Sequence, residues 1–169
     1  MIIAGMDIAT LKSGIAVIES DGKTYLYSLI LHDKTPLEAR IQRHGEWARD
    51  IAARHKVEVC FHEEVIQVKH GGGFTSNGKS ENIRTALMIA QVLGAVKEKF
   101  YPAVIHPLTP SEWRAQTVGN IPARKGMSER DALKAAAISF TLERGLTPKS
   151  DDEAEAYLIA LAGSKLISV

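Results

Sequence analysis

Carboxylates are the side chains of this sequence whose placement suggests chemistry. Asp7 ends a short apolar run, MIIAGMD. Glu63 and Glu64 end another, EVCFHEE. Asp151, Asp152, Glu153 and Glu155 open a third segment, SDDEAEAYLIALA. Carboxylates at a helix start have an ordinary explanation in the helix dipole, and Glu153 suits a capping box with Ser150. Asp7 is harder to dismiss, because Asp is depleted from strands. Asp152 and Glu155 are three residues apart and share one helix face. If that face points at the ends of the strands carrying Asp7 and one of Glu63 or Glu64, four carboxylates meet. Such a cluster repels itself unless cations neutralise it. Hard divalent ions such as Mg²⁺ and Mn²⁺ prefer oxygen ligands. Two of them about 3.5–4 Å apart form the arrangement that hydrolyses phosphodiesters, one activating water and the other stabilising the leaving oxygen.

The elements that must position these acids follow from pattern. Residues 2–8, 14–19 and 25–31 read as strands with a tight-hairpin signal at Asp21-Gly22, so the chain opens as an antiparallel meander. Pro36 begins a helix with Leu37, Ile41, Trp47 or Ala48, and Ile51 near helical spacing; it ends at His55-Lys56. Val57–His62 reads as a fourth strand with Val57, Val59 and Phe61 on one face. The glycine-rich stretch 66–80 reads as a flexible loop. Ser80 is placed to cap a long apolar helix reaching about Phe100, and Ala103–His106 is a short strand. Thr109-Pro110-Ser111-Glu112 combines a capping box with proline at the first helical position. A second basic loop covers 118–127, and Ser128 and Ser150 open the last two helices. The order βββ-α-β-α-β-α-α-α predicts a single α/β domain over residues 1–169, a mixed sheet with helices on its faces.

Composition narrows the function classes. With 169 residues, 45% hydrophobic and 24% charged, the chain is a folded domain and not a disordered one. Twenty-one Lys+Arg stand against 20 Asp+Glu, so a polyanion binder must sort its charges onto faces. Basic residues gather in the two loops and adjoining helix starts: Lys69, His70, Lys79, Arg84, Arg114, Arg124, Lys125 and Arg130. A basic rim around an acidic pit is the charge plan a nuclease needs. Gly71-Gly72-Gly73 would let backbone approach DNA closely, and the stretch lacks the Lys-Ser/Thr ending of a P-loop. The single cysteine, Cys60, excludes an intrachain disulfide and a cysteine zinc site, and reads as buried and inert. No apolar run approaches the roughly 18 residues of a membrane span, and the N-terminus lacks a signal-peptide pattern, so a cytoplasmic protein without membrane contact is expected. His62, His70 and His106 fit no helical ligand pair and read as structural or surface residues. Trp47 and Trp113 read as core.

Four segments, in order, resemble the RuvC family of Holliday-junction resolvases within the RNase H-like fold. MDIATLKSG resembles the first strand and its small-residue turn. EVCFHEEV resembles the strand that ends in a catalytic Glu. The stretch from IRTALMIAQVLGAV through TPSEWRAQTVGN to ARKG resembles the middle helix, the next helix and the basic loop. SDDEAEAYLIALA resembles the final acidic helix. The resemblance implies a five-stranded RNase H-like sheet, an antiparallel meander followed by parallel strands. It implies Asp7, Glu63 (preferred to Glu64), Asp152 and Glu155 as catalytic ligands of Mg²⁺ or Mn²⁺, as a two-ion site. Lys125 matches a basic residue assisting near the scissile phosphate.

The resemblance further implies branched DNA, a four-way junction, as the partner. Lys69, Lys79, Arg84, Arg114, Arg124 and Lys125 would be its contacts. Phe74 would stand in for the junction-opening aromatic, since Ile66 occupies that place. A homodimer follows, because symmetric cutting needs two sites related by a twofold axis, and the apolar stripe over 83–96 offers a candidate surface. The family often has Pro-Gly after the first Asp; here Ile8-Ala9 stand there, more like phage-type members. The fourth acid is usually Asp; here it is Glu155. Three rivals remain at this level: a nuclease of the same fold acting on RNA or other branched DNA, a phosphotransferase of the sugar-kinase and actin type, and a non-catalytic DNA-binding module.

Overall fold

A computed structural model of the protein describes residues 1–64, 79–119, 121 and 126–167. Strands β1 (Ile3–Ile8), β2 (Lys12–Ile18) and β3 (Thr24–Ile30) form the expected meander. They are followed by α1 (Leu37–His55), β4 (Val59–Glu63), α2 (Lys79–Lys99), β5 (Val104–Leu108), α3 (Pro110–Gln116), α4 (Glu129–Leu142) and α5 (Asp151–Ile167). The five strands make one sheet in the order β3-β2-β1-β4-β5. β1 pairs antiparallel with β2 and parallel with β4; β4 pairs parallel with β5. The mixed five-stranded sheet of the sequence reading is therefore observed.

Strand alternation divides the core into two layers. Ile3, Phe61 and Leu108 join Trp113, Leu133, Ala137 and the apolar side of α5. Ala4, Met6, Ile8 and Cys60 join Ala48, Ile51, Val92, Leu93 and Val96 of α1 and α2. Helices thus cover both faces. The layer against α5 is built for close approach. A Cβ on Gly5 would strike the backbone of Ala156 and Ala160, one on Gly14 the backbone of Asp152, and one on Gly163 the ring of Phe61. Glycine at these points lets α5 lie directly on β1, β2 and β4.

Local details depart from the sequence reading in four places. Of the alternatives Trp47 and Ala48, Ala48 is enclosed and Trp47 packs half-buried against the same core, while His44 and His55, not expected inside, are buried on the same helix. Val57 precedes β4 and packs with the α1–α2 layer, while Val59 and Phe61 face α5. Helix α2 begins at Lys79, so Ser80 lies inside it and not at its cap. The Glu153 N–H donates to Ser150 Oγ (3.2 Å), but the Glu153 carboxylate accepts from the Lys149 N–H (2.6 Å), one residue beyond a reciprocal box. The Thr109/Glu112 box forms in full.

Two buried histidines tie α1 to the meander. His44 donates from Nδ1 to the Arg40 carbonyl (2.7 Å), which turns Nε2 to the Ser13 hydroxyl (3.0 Å). Ser13 Oγ in turn accepts from the Ala9 N–H (3.1 Å), fixing the turn after Asp7. Burial holds the His44 ring below the ordinary histidine range, and Ser13 and His44 are wholly enclosed, so this Ser–His pair is structural. His55 bridges Glu19 through Nδ1 (2.9 Å) and the Tyr27 hydroxyl through Nε2 (2.6 Å).

Candidate active site

Parallel pairing of β1 with β4 puts the two strand ends side by side. Met6 pairs with His62, and one residue further along each strand stand Asp7 and Glu63. Both belong to the alternation that faces α5, with Ile3 and Gly5 on one strand and Val59 and Phe61 on the other. Helix α5 starts over this point, and its first turn and a half carries Asp152 and Glu155. Asp7, Glu63, Asp152 and Glu155 accordingly line one cavity of about 400 Å³. Ligand sites at the carboxyl ends of neighbouring strands are the rule for α/β sheets.

The cavity also carries bases. Arg114 of α3 and Arg130 and Lys134 of α4 line the same cavity, as do Glu64 and His62. Lys134 forms an ion pair with Asp151. Burial works against ionisation of Asp151, yet the bonded Lys134 ammonium holds its carboxyl below the usual range. Glu63 is fixed at two points. Trp113 Nε1–H donates to its Oε2 (3.0 Å), and His62 Nδ1–H donates to its carbonyl (2.9 Å). The His62 ring is buried, which keeps it below the ordinary histidine range, and its Nε2 has no partner among the described residues.

Charge crowding shows in the acids themselves. Burial, then the charges of Glu155, Asp152 and Glu63, raise the Asp7 carboxyl well above its usual range. Burial and the Glu63 charge push Glu155 up to about 7, against the pull of Lys134. Burial and Asp151 raise Asp152. Among the described residues no three acidic, His or Cys side chains close on a single point as they stand. The donor set is nonetheless all carboxylate oxygen, self-repelling and set in one cavity. That chemistry suits a hard divalent cation, whose charge would offset the repulsion among the acids.

Sequence reading and geometry meet unevenly. The four acids come together as expected, and Arg114 and Arg130 stand beside them. Arg84 is exposed on α2, away from the cavity lining; Lys79 begins that helix. Lys69, His70, Phe74, Arg124 and Lys125 lie outside the described residues. Two cavity residues, Lys134 and His62, and the buried Trp113 behind Glu63 escaped the sequence reading in their present role. Lys134 had a signal, because Arg130 and Lys134 are i, i+4 on α4. Trp113 had none, since its partner is 50 positions away.

No protein-family model matches the sequence, and no curated protein matches it. Solved structures do match. A structure of T. thermophilus RuvC in complex with Holliday junction substrate superposes with a TM-score of 0.69 at 16% identity, over 99% of this chain and 95% of that one. This chain has the RuvC fold. A second Thermus thermophilus RuvC structure gives 0.63 at 19% identity, over 99% and 96%. The RuvC fold runs the length of the chain here, and the likeness is carried by the path of the backbone at low identity.

Proposed function

We propose that the chain is a metal-dependent DNA endonuclease that resolves four-way junctions, working as a homodimer in the cytoplasm. One observation carries the reading: acids from β1, β4 and α5 and bases from α3 and α4 line a single cavity in a chain with the fold of a RuvC that binds Holliday junction substrate. Asp7, Glu63, Asp152 and Glu155 would hold one or two Mg²⁺ or Mn²⁺ ions. Bound there, such ions supply Lewis acidity, lowering the pKa of the attacking water and neutralising charge on the phosphate.

The chain's own residues do the rest. Arg114, Arg130 and Lys134 line the wall beside the acids and draw the phosphate of a strand against them. Lys125 steadies the scissile phosphate. Lys69, Lys79, Arg84 and Arg124 follow the arms of the junction, and Phe74 takes the place of the opening aromatic. Exposed Ile83 and Leu87, 56% and 57% accessible on α2, support a second copy as the dimer partner.

The deciding experiment is incubation of the chain with a labelled synthetic four-way junction, with and without Mg²⁺, beside flap, duplex and RNA substrates. Selective cutting of the junction is expected. Equal cutting of all substrates would replace resolution by general nuclease activity, and binding without cutting in either Mg²⁺ or Mn²⁺ would remove the enzyme. Asp7→Asn should abolish cutting and keep junction binding. Lys125→Ala should slow cutting more than it weakens binding.

A further inference from the structure

We propose that Trp113 is a positioning residue: its indole N–H sets the aim of the Glu63 carboxylate and thereby how tightly the acid cavity holds a divalent cation. The inference rests on the nuclease reading of that cavity. Trp113 is fully buried, at 0% exposure, in the layer between sheet and α5. A buried indole needs an acceptor, and this one has taken a carboxylate from the cavity, Glu63 Oε2 at 3.0 Å.

The bond matters to Glu63 because of where that residue stands. It ends β4 on a flexible stem and faces Asp7 and Glu155, whose charges repel it. An untethered carboxylate there would swing away from its neighbours toward water. The indole N–H occupies one site on Oε2 and leaves Oε1 for the cavity. Donors behind a ligating carboxylate orient it in this way.

The indole is itself held. Trp113 sits in the first turns of α3, and the Thr109 N–H donates to Glu112 (2.7 Å) while the Glu112 N–H donates to Thr109 Oγ1 (3.3 Å). The Thr117 hydroxyl donates to the Trp113 carbonyl (2.7 Å). The next residue, Arg114, lies over the ring with its guanidinium carbon 5.3 Å from the centroid, and it lines the acid cavity. One short helix therefore carries both the group that aims an acid and a group that faces the phosphate.

The test compares the full chain with Trp113→Phe, which keeps a ring and removes the N–H. Mn²⁺ affinity is read without DNA from the electron paramagnetic resonance of free Mn²⁺, and cleavage is read across a Mn²⁺ series. The variant should bind Mn²⁺ about 10–100-fold more weakly. It should lose cleavage at low Mn²⁺, regain much of it at high Mn²⁺, and bind the junction as the parent does. A purely structural tryptophan would lower the melting temperature and leave Mn²⁺ affinity within about twofold, which would overturn the proposal.

Should Trp113→Phe not fold, the parent supplies the same test through its two indole N–H signals in a ¹⁵N-correlated spectrum. Glu63→Gln should move the Trp113 signal and spare that of Trp47; an unmoved signal would overturn the proposal. A parent that neither binds Mn²⁺ nor cuts the junction would overturn the cavity's reading and this one together, and that outcome is visible without any variant.

Discussion

Asp7 and Glu155 both hold a proton more tightly than ordinary carboxyls, because burial and then the neighbouring charges work against ionisation. The sign of the consequence is unusual for acids. Burial and the neighbouring charges lift Glu155 from 4.5 to about 7, so the folded protein binds that proton more tightly than the unfolded chain does. Stability conferred by the protonated form is present in acid and falls as pH rises through about 7, by roughly 1–3 kcal/mol. The ion-free protein should therefore melt higher at about pH 5.5 than at about pH 8, and added Mn²⁺ should raise the melting temperature most at the higher pH. Glu155→Gln should shrink the pH difference, stabilise the ion-free protein at about pH 8 and abolish cleavage; thermal melts and a junction assay check both halves. Lys134 acts in the opposite sense, since its ammonium lowers the proton affinity of Glu155 and Asp152. Lys134→Ala should move the midpoint of pH-dependent Mn²⁺ binding to higher pH while costing only about 0.2–1 kcal/mol of stability, because the Asp151 pair is partly solvated. An unchanged midpoint would take Lys134 out of the electrostatics of the cavity.

Helix α5 brings the second pair of acids to the first, and glycine permits it. Gly14 touches the backbone of Asp152, so a methyl group there must push away the residue that carries a candidate ligand. Gly14→Ala should destabilise the fold by about 1–3 kcal/mol and reduce cleavage beyond what the residual folded fraction explains. Denaturant unfolding together with activity per folded molecule separates the two effects. Helix α3 is a shorter device. With only seven residues it depends on its cap, and Thr109→Ala removes a cap acceptor worth about 1 kcal/mol. Loosening at Trp113 should follow, visible as faster exchange of its indole proton.

At the scale of the molecule, the sheet order sets the site. The meander places β1 in the middle with β2 on one side, and the crossover through α1 lays β4 parallel on the other. Asp7 and Glu63 meet because two parallel strands end together, with helices on both faces enclosing them. Among the described residues no helix is long and apolar enough to cross a membrane. The exposed apolar positions of α2 make the dimer testable: Leu87→Glu with Ile83→Glu should give monomers by sedimentation at concentrations where the parent is dimeric, and should uncouple the two cuts of a junction. A parent that sediments as a monomer would end the dimer proposal.

Residue type and local period were enough to single out Asp7, Asp152, Glu155 and one of Glu63 or Glu64, the order of the elements, the Thr109 cap and the buried Cys60, whose thiol is pushed up to about 12. Each is a statement about neighbours within a turn or a strand, and alternation alone put Glu63 in phase with Phe61. The partner of Trp113, the seat of Lys134, the enclosed His44 and His55, and the choice of Ala48 over a half-buried Trp47 as the enclosed residue were decided by tertiary structure. Each depends on side chains meeting from elements far apart in sequence. The direction in which a side chain points across such a gap is set by how closely α5 rests on Gly5 and Gly14 and how β4 registers on β1.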